Sequence, residues 1–216
     1  MLKSQVPIAE EGYPFIGYAA FLTLLSAILG WPAATAILLA VTTFIILFFR
    51  DPERLAPEEE GVLSPADGKI IVAETVKDVR FSDQEMVKVS IFMNVFDVHV
   101  NRVPASGTVD KVEYVPGKFI AADNDKAHLK NEYCAVTITT PEGKKLTFVQ
   151  IAGLIARRIV CRLEPGDAVL RGHRFGLIRF GSRVDVYFPA DTRLAVRVGD
   201  KVVAGQTILA HIHGQI

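Results

Sequence analysis

The hydrophobic positions of the chain follow two different patterns, and the first is an uncharged stretch near the start. From position 14 to position 49 no residue is charged, and the apolar run is broken only by Gly30-Trp31-Pro32. At about 1.5 Å per residue, 14–29 and 33–49 would each span roughly 25 Å, slightly less than a hydrocarbon core of about 30 Å. We predict two short helices joined by a turn, with both ends of this hairpin on one side.

The residues around the hairpin indicate a membrane segment. A secretory signal is disfavoured because the stretch is long and lacks a basic start and a small-residue cleavage site. A buried helical pair is disfavoured because neither half carries a polar stripe. Lys3 precedes the hairpin and Arg50 and Arg54 follow it, a bias that favours a cytoplasmic position for both ends. Whether the hairpin crosses the bilayer or enters one leaflet stays open.

After an acidic linker at 57–61, the apolar positions alternate with a period of two, which predicts strands. The predicted strands are 69–74, 87–92, 99–103, 107–114, 135–139, 146–151, 183–188 and 193–198. Helices are expected only at 119–130 and 152–160. We therefore predict an α+β fold, predominantly antiparallel β, with a sandwich- or barrel-like catalytic body behind the N-terminal hydrophobic helical hairpin. The expected domains are the hairpin and linker at 1–56 and the β-rich domain at 57–216.

Composition and charge exclude some kinds of partner. The 216 residues include 24 basic and 24 acidic side chains, and this balance argues against a nucleic-acid partner. Cys134 and Cys161 lie far apart without a CxxC motif, which favours small buried thiols in a reduced compartment; one structural disulfide stays open. His211 and His213 share a strand face but have no evident third ligand, so no metal site is expected.

Three segments place reactive groups beside turn residues. Ser64-Pro65-Ala66-Asp67-Gly68 puts a carboxylate in a tight turn that enters a strand, and His99 alternates with valines along another strand. Gly181-Ser182 joins two strands. Each segment alone is ordinary: a turn, a packed histidine and a Gly-Ser turn. Together Asp67, His99 and Ser182 could form a nucleophilic triad, but the residues alone do not show that they meet in space.

Five longer segments are distributed over nearly the whole chain. In chain order they are Phe48-Phe49-Arg50-Asp51-Pro52-Glu53-Arg54, Ser64-Pro65-Ala66-Asp67-Gly68-Lys69-Ile70, Phe96-Asp97-Val98-His99-Val100-Asn101-Arg102-Val103-Pro104, Tyr114-Val115-Pro116-Gly117-Lys118-Phe119 and Phe175-Gly176-Leu177-Ile178-Arg179-Phe180-Gly181-Ser182-Arg183-Val184-Asp185. Together, and in this order, they resemble the short bacterial and archaeal-type branch of the phosphatidylserine decarboxylase family.

The resemblance implies a self-made cofactor and gives each candidate residue a role. Ser182 would attack the carbonyl of Gly181, cut the chain into parts 1–181 and 182–216, and become a pyruvoyl group, that is, covalently bound pyruvate. His99 would be the general base, and Asp67 would orient it and balance its charge. The mature enzyme would then decarboxylate phosphatidylserine to phosphatidylethanolamine in phospholipid biosynthesis, at the cell membrane with the catalytic domain facing the cytoplasm.

The sequence departs from the longer members of this family at one motif. Their H-x-x-H-x-P stretch has its first histidine at His99 here, but the second position holds Arg102. Arg102 is thus a candidate contact for a substrate carboxylate or phosphate. Three alternatives stay open: a decarboxylase of a related serine lipid such as archaetidylserine, a membrane-anchored serine hydrolase that keeps Ser182 intact, and a non-catalytic binding module. A homo-oligomer is also left open.

Overall fold

The computed structural model describes residues 7–77, 84–117, 131–153, 158–179 and 182–212. The chain divides into two compact units, the first ending at Glu53 and the second beginning at Arg54.

The first unit is a helical hairpin preceded by one 3-10 turn at Glu10–Gly12. Helix α1 covers Tyr13–Ile28 and helix α2 covers Pro32–Phe48. Pro32 begins α2 because a helix's first position needs no backbone N–H donor. Gly30 closes the turn with φ 70°, a conformation that a residue with a side chain seldom adopts. Among the described residues, no helix combines the length and the apolar character needed to cross a membrane.

The two helices of the hairpin meet through small hydroxyl side chains. Thr23 and Thr42 lie 3.0 Å apart at their hydroxyl oxygens, as do Ser26 and Thr35. Many of the large apolar side chains are instead exposed, whereas Phe48 and Phe49 are buried. Those most exposed are Tyr18 at 74%, Ile28 at 73%, Ile37 at 66%, Phe21 at 62%, Leu24 at 60% and Trp31 at 59%.

The second unit is built from strands, all of which pair in antiparallel fashion. In chain order the strands are β1 Val62–Leu63, β2 Gly68–Lys77, β3 Glu85–Met93, β4 Val100–Arg102, β5 Gly107–Val115, β6 Tyr133–Thr139, β7 Lys145–Ala152, β8 Ile159–Cys161, β9 Ala168–Val169, β10 Arg174–Ile178, β11 Ser182–Pro189, β12 Arg193–Leu194, β13 Lys201–Val202 and β14 Ile208–His211. Together with the hairpin, they confirm the predicted α+β class with predominantly antiparallel strands.

An eight-stranded sheet in the order β13-β2-β3-β11-β7-β6-β5-β9 forms the body of this unit. Two three-stranded sheets, β1-β14-β12 and β4-β10-β8, supply residues to the same apolar core as one face of the large sheet. β11 lies in the middle, between β3 and β7, so its residues are almost all buried. The alternation of side chains along β11 sends Ser182 and Val184 towards the core and Arg183 and Asp185 to the opposite face.

The predicted helix over 152–160 is wrong at both of its described ends. Ala152 is the last residue of β7, and Ile159 begins β8. The β-branched pair Ile159-Val160 fits a strand, and its pairing with β10 provides backbone hydrogen bonds that a helix would have to break. The other predicted helix, 119–130, lies outside the described residues.

Candidate active site

Ser182 is the first residue of β11 and is completely buried. Its backbone pairs with Met93 on β3 and with Ala152 on β7. Its hydroxyl donates to the thioether sulfur of Met93 at 3.3 Å. A thioether is a weak acceptor, so this contact holds the hydroxyl without activating it as a nucleophile. Gly181, the other half of the predicted cleavage site, lies outside the described residues.

His99 lies immediately before β4 and is 1% exposed. Its Nδ1 is 3.0 Å from the backbone carbonyl oxygen of Asp97, and its own carbonyl oxygen accepts from the Ile178 N–H at 3.4 Å. Ile178 ends β10, four residues before Ser182. His99 is therefore hydrogen-bonded to the last residue of β10, which precedes Ser182 by four positions in the chain.

Asp67 binds Arg54 rather than His99. The two carboxylate oxygens accept from the two terminal nitrogens of Arg54, at 2.5 and 2.8 Å, and Oδ1 also accepts from the Ala204 N–H at 2.8 Å. Such a two-point contact fixes both planar groups relative to each other. Next to Asp67, Gly68 adopts φ 149°, and a side chain here would overlap the carbonyl oxygen of Phe92. The tight turn predicted around Asp67 is thus held at several points.

The turn that carries Asp67 also holds the strand that follows His99. The carbonyl oxygen of Pro65 accepts from the backbone N–H of Arg102 at 2.9 Å and from the side-chain amide of Asn101 at 3.5 Å. Arg102 is 4% exposed, and its Nη1 donates to the carbonyl oxygen of Gly172 at 3.0 Å. This contact of the guanidinium is with backbone.

Asn101 and Gln150 form a buried amide pair that sequence reasoning missed. Both are fully buried, and Gln150 Nε2 donates to Asn101 Oδ1 at 2.9 Å. Asn101 Nδ2 lies 3.8 Å from the sulfur of Met93, the atom that also accepts from Ser182. The turn at Pro65, the strand after His99 and the start of β11 thus meet around this pair. Gln150 is a polar residue at a core-facing position of a predicted strand. This was the signal in the sequence that could have identified it.

A charged cluster lies on the opposite face of the sheet, directly after Ser182. Asp185 accepts from Arg183 Nε at 2.5 Å and lies 3.1 Å from Lys88 Nζ, and Arg183 also donates to Ser90 at 2.8 Å. Burial alone would raise the pKa of Asp185, but Arg183 and Lys88 outweigh it and hold the pKa below its ordinary value. Two cations thus keep one buried carboxylate ionised.

The two cysteines are free thiols that contact each other. Cys134 is buried on β6, Cys161 is partly exposed on β8, and their side chains share a hydrogen bond. This hydrogen bond lowers the pKa of Cys161 to about 7 against the effect of burial, while it raises the pKa of Cys134. The sequence favoured small buried thiols and left one disulfide open. The strand order explains why the two thiols meet: Gln150 lies opposite Cys134 and donates to Val160, the neighbour of Cys161.

Comparison with known proteins identifies the family. A family model described as phosphatidylserine decarboxylase matches residues 41–210. The chain belongs to the phosphatidylserine decarboxylase family. A phosphatidylserine decarboxylase proenzyme of Desulfotalea psychrophila is 59% identical over 98% of this chain and 100% of its own length.

Two further relatives have the same name. The protein of Geotalea uraniireducens is 50% identical over 97% of this chain and 98% of its own, and that of Ralstonia nicotianae is 49% identical over 95% of each. The similarity to the phosphatidylserine decarboxylase family therefore extends over both units, and it confirms the family that the five segments indicate.

The surroundings of Ser182 fit the small, uncharged pyruvoyl group that the family implies. Residues Met93, Ala152 and Val184 supply an apolar and almost fully buried setting. The amide pair of Asn101 and Gln150 supplies polar atoms beside it, among them one buried acceptor, Gln150 Oε1, without a hydrogen-bond partner among the described residues.

Proposed function

We propose that the chain is a membrane-bound phosphatidylserine decarboxylase proenzyme. It cuts itself between Gly181 and Ser182 and then converts phosphatidylserine to phosphatidylethanolamine. The observation that carries this proposal is the buried position of Ser182 at the start of β11, where the turn at Pro65 and the strand after His99 converge, in a chain of this family. The roles of the individual residues follow from their contacts.

In self-cleavage, Ser182 Oγ attacks the carbonyl carbon of Gly181, forming an ester as the C–N bond breaks. Loss of the Cα proton of residue 182 then expels the Gly181 carboxylate, and hydrolysis of the resulting dehydroalanine releases ammonia. His99 takes the hydroxyl proton in this proposal. If its Nδ1–H donates to the Asp97 carbonyl at the observed 3.0 Å, Nε2 is the basic nitrogen.

Asp67 acts on this chemistry from a distance, as a positioning residue. Its carboxylate locks the turn through Arg54, and the turn holds the strand after His99 through the Pro65 carbonyl. Arg102 remains the candidate contact for a lipid phosphate or carboxylate. To play that role it would have to exchange its hydrogen bond to Gly172, a change that its long side chain allows.

The pyruvoyl group derived from Ser182 would supply a ketone that combines with the substrate's amine and accepts the electron pair left by carbon dioxide. The chain's own contribution is to keep this position dry. Because Ser182 and Gln150 are completely buried, electrostatic interactions there are stronger than in water. Water is also kept from the reacting carbon, which favours its protonation by a positioned group.

The helical hairpin would attach the enzyme to the membrane that contains its substrate. Large apolar side chains such as Tyr18, Phe21 and Ile28 are exposed on a segment without charges, and burying them in lipid removes this surface from water. Arg50 and Arg54 follow the hairpin and favour the cytoplasmic side.

The decisive experiment is to weigh the fragments of the purified protein by mass spectrometry and to assay it on phosphatidylserine vesicles. We expect a small chain that begins at position 182, is blocked to Edman sequencing and is one ammonia lighter than a chain with an N-terminal serine. A Ser182→Ala protein should stay uncut and inactive. Ser106→Ala, which changes a serine whose hydroxyl accepts from the Arg171 N–H, is the matched control and should mature normally.

Each other result would remove a specific part of the proposal. An active but uncut wild-type chain would favour a serine hydrolase, and cleavage of the Ser182→Ala protein would place the cofactor elsewhere. Normal maturation of a His99→Ala protein would remove His99 from the base role. Faster turnover of archaetidylserine than of phosphatidylserine would change the substrate but leave the chemistry intact.

A further inference from the structure

The amide group of Gln150 is held in one orientation by its neighbours. Its Nε2 donates to Asn101 Oδ1 at 2.9 Å and lies 3.3 Å from the carbonyl oxygen of Val160. Asn101 cannot be turned around, because its Nδ2 lies between the Pro65 carbonyl and the Met93 sulfur, which are both acceptors. With two oxygens facing one end of the Gln150 amide, that end must be its NH₂ group.

The other end of this amide is therefore an oxygen that lacks a donor. Gln150 is completely buried, and its Oε1 has no hydrogen-bond partner within the described part of the chain. The thiol opposite, on Cys134, is engaged with Cys161. A buried carbonyl oxygen without a donor costs about 1–3 kcal/mol, so its persistence needs an explanation.

Gln150 is a diagonal neighbour of Ser182 in the large sheet. Gln150 pairs with Val184 on β11, and Ala152, two residues along the same face, pairs with Ser182. Diagonal neighbours of this kind have Cα atoms about 7–8 Å apart, within reach of a long side chain. Gly176 leaves the space that the amide needs: a Cβ atom there would lie 3.2 Å from Gln150 Nε2 and would overlap the Val160 carbonyl oxygen.

We infer that Gln150 Oε1 accepts a hydrogen bond from the primary amine of the lipid headgroup and so selects an amine-bearing substrate. The inference rests on the proposed function. A phosphatidylserine headgroup carries a carboxylate, a phosphodiester and an amine, and only the amine can donate hydrogen bonds. The amine must also approach residue 182 to react there, and Gln150 is a diagonal neighbour of that residue. Gln150 is thus a substrate-binding residue, with Asn101 as the positioning residue that orients it.

The test combines a Gln150→Met variant with ligands that have or lack the amine. Met keeps the length and volume of the side chain but has no amide oxygen. In self-cleaved, purified protein, we expect the KM for phosphatidylserine and the inhibition constant of phosphatidylethanolamine to rise by about tenfold or more. The inhibition constant of phosphatidylethanol, which lacks the amine, should change by no more than about twofold.

The control ligand separates recognition of the amine from a structural role. Equal weakening of phosphatidylethanolamine and phosphatidylethanol binding would mean that Gln150 only supports the fold, and unchanged binding of both would also overturn the inference. If the variant fails to mature, the wild-type enzyme still provides a test: it must bind phosphatidylethanolamine at least about tenfold more tightly than phosphatidylethanol. A wild-type protein without any activity on phosphatidylserine would instead contradict the proposed function.

Discussion

The buried cluster of Arg183, Asp185 and Lys88 allows a quantitative test of what stabilises β11. Changing Asp185 to Asn removes the one negative charge from a group with two cations, 2.5 Å from Arg183 Nε and 3.1 Å from Lys88 Nζ. All three side chains are at least nine-tenths buried, so water cannot solvate the two cations once the carboxylate charge is removed. Breaking a buried ion pair in this way costs about 3–5 kcal/mol. A domain is typically stable by only about 5–15 kcal/mol.

The assay is equilibrium unfolding by denaturant in detergent, in a Ser182→Ala background so that the chain is expected to stay in one piece. Unfolding of the strands should be followed by circular dichroism. Tryptophan fluorescence would report on the hairpin instead, because the only tryptophan, Trp31, lies there. Asp191→Asn is the matched control. Its carboxylate is also 3.0 Å from a lysine, Lys144, but both side chains are over one-third exposed, so about 1 kcal/mol or less should be lost.

The pH dependence provides a second, independent measurement. Because the pKa of Asp185 is lowered in the folded state, its contribution is fully present above the ordinary aspartate pKa of about 4. The contribution is lost as the pH falls through the lower folded-state value. The difference in unfolding free energy between the protein with Asp185 and the Asp185→Asn variant should thus be constant from about pH 5 to about pH 8 and shrink in stronger acid. Similar losses for the Asp185→Asn and Asp191→Asn variants would refute the reasoning.

Two further predictions concern the strands around the amide pair. Gly176→Ala should lower stability by about 1–3 kcal/mol and slow self-cleavage, because the added methyl group overlaps the Val160 carbonyl oxygen; a variant with wild-type unfolding and cleavage rates would contradict the overlap. Alkylation of Cys161 by iodoacetamide should accelerate as the pH rises through about 7, the pKa set by Cys134. Mass spectrometry of labelled protein checks this rate, with Cys161→Ser as control, and acceleration only above about pH 8, near the ordinary thiol pKa of about 8.5, would contradict it.

The hairpin was predictable from the sequence almost to the residue. The helices predicted at 14–29 and 33–49 are observed at Tyr13–Ile28 and Pro32–Phe48. An uncharged run with one Gly-Trp-Pro interruption leaves few alternatives, because Pro can begin a helix and Gly can end one. By contrast, the wrongly predicted helix over 152–160 depended on a short apolar run, in which periodicity does not separate helix from strand.

The order of the strands could not be predicted from local patterns. β11 pairs with β3 and β7, which lie far from it in the chain, and these pairings depend on long-range contacts. For this reason the sequence suggested Asp67, His99 and Ser182 as a possible triad but did not show which residues each of them contacts. Arg54 was noted only as a basic residue after the hairpin, and its bond to Asp67 became visible only in the folded chain.

The contacts of Asp67 explain how a carboxylate can matter to a histidine that it does not touch. In a triad the carboxylate orients the base directly. Here the Asp97 carbonyl lies against the ring of His99, while Asp67 fixes the turn whose Pro65 carbonyl holds the next strand. Because the same carbonyl also accepts from Asn101, which orients Gln150, one turn positions both the proposed base for self-cleavage and the proposed amine contact.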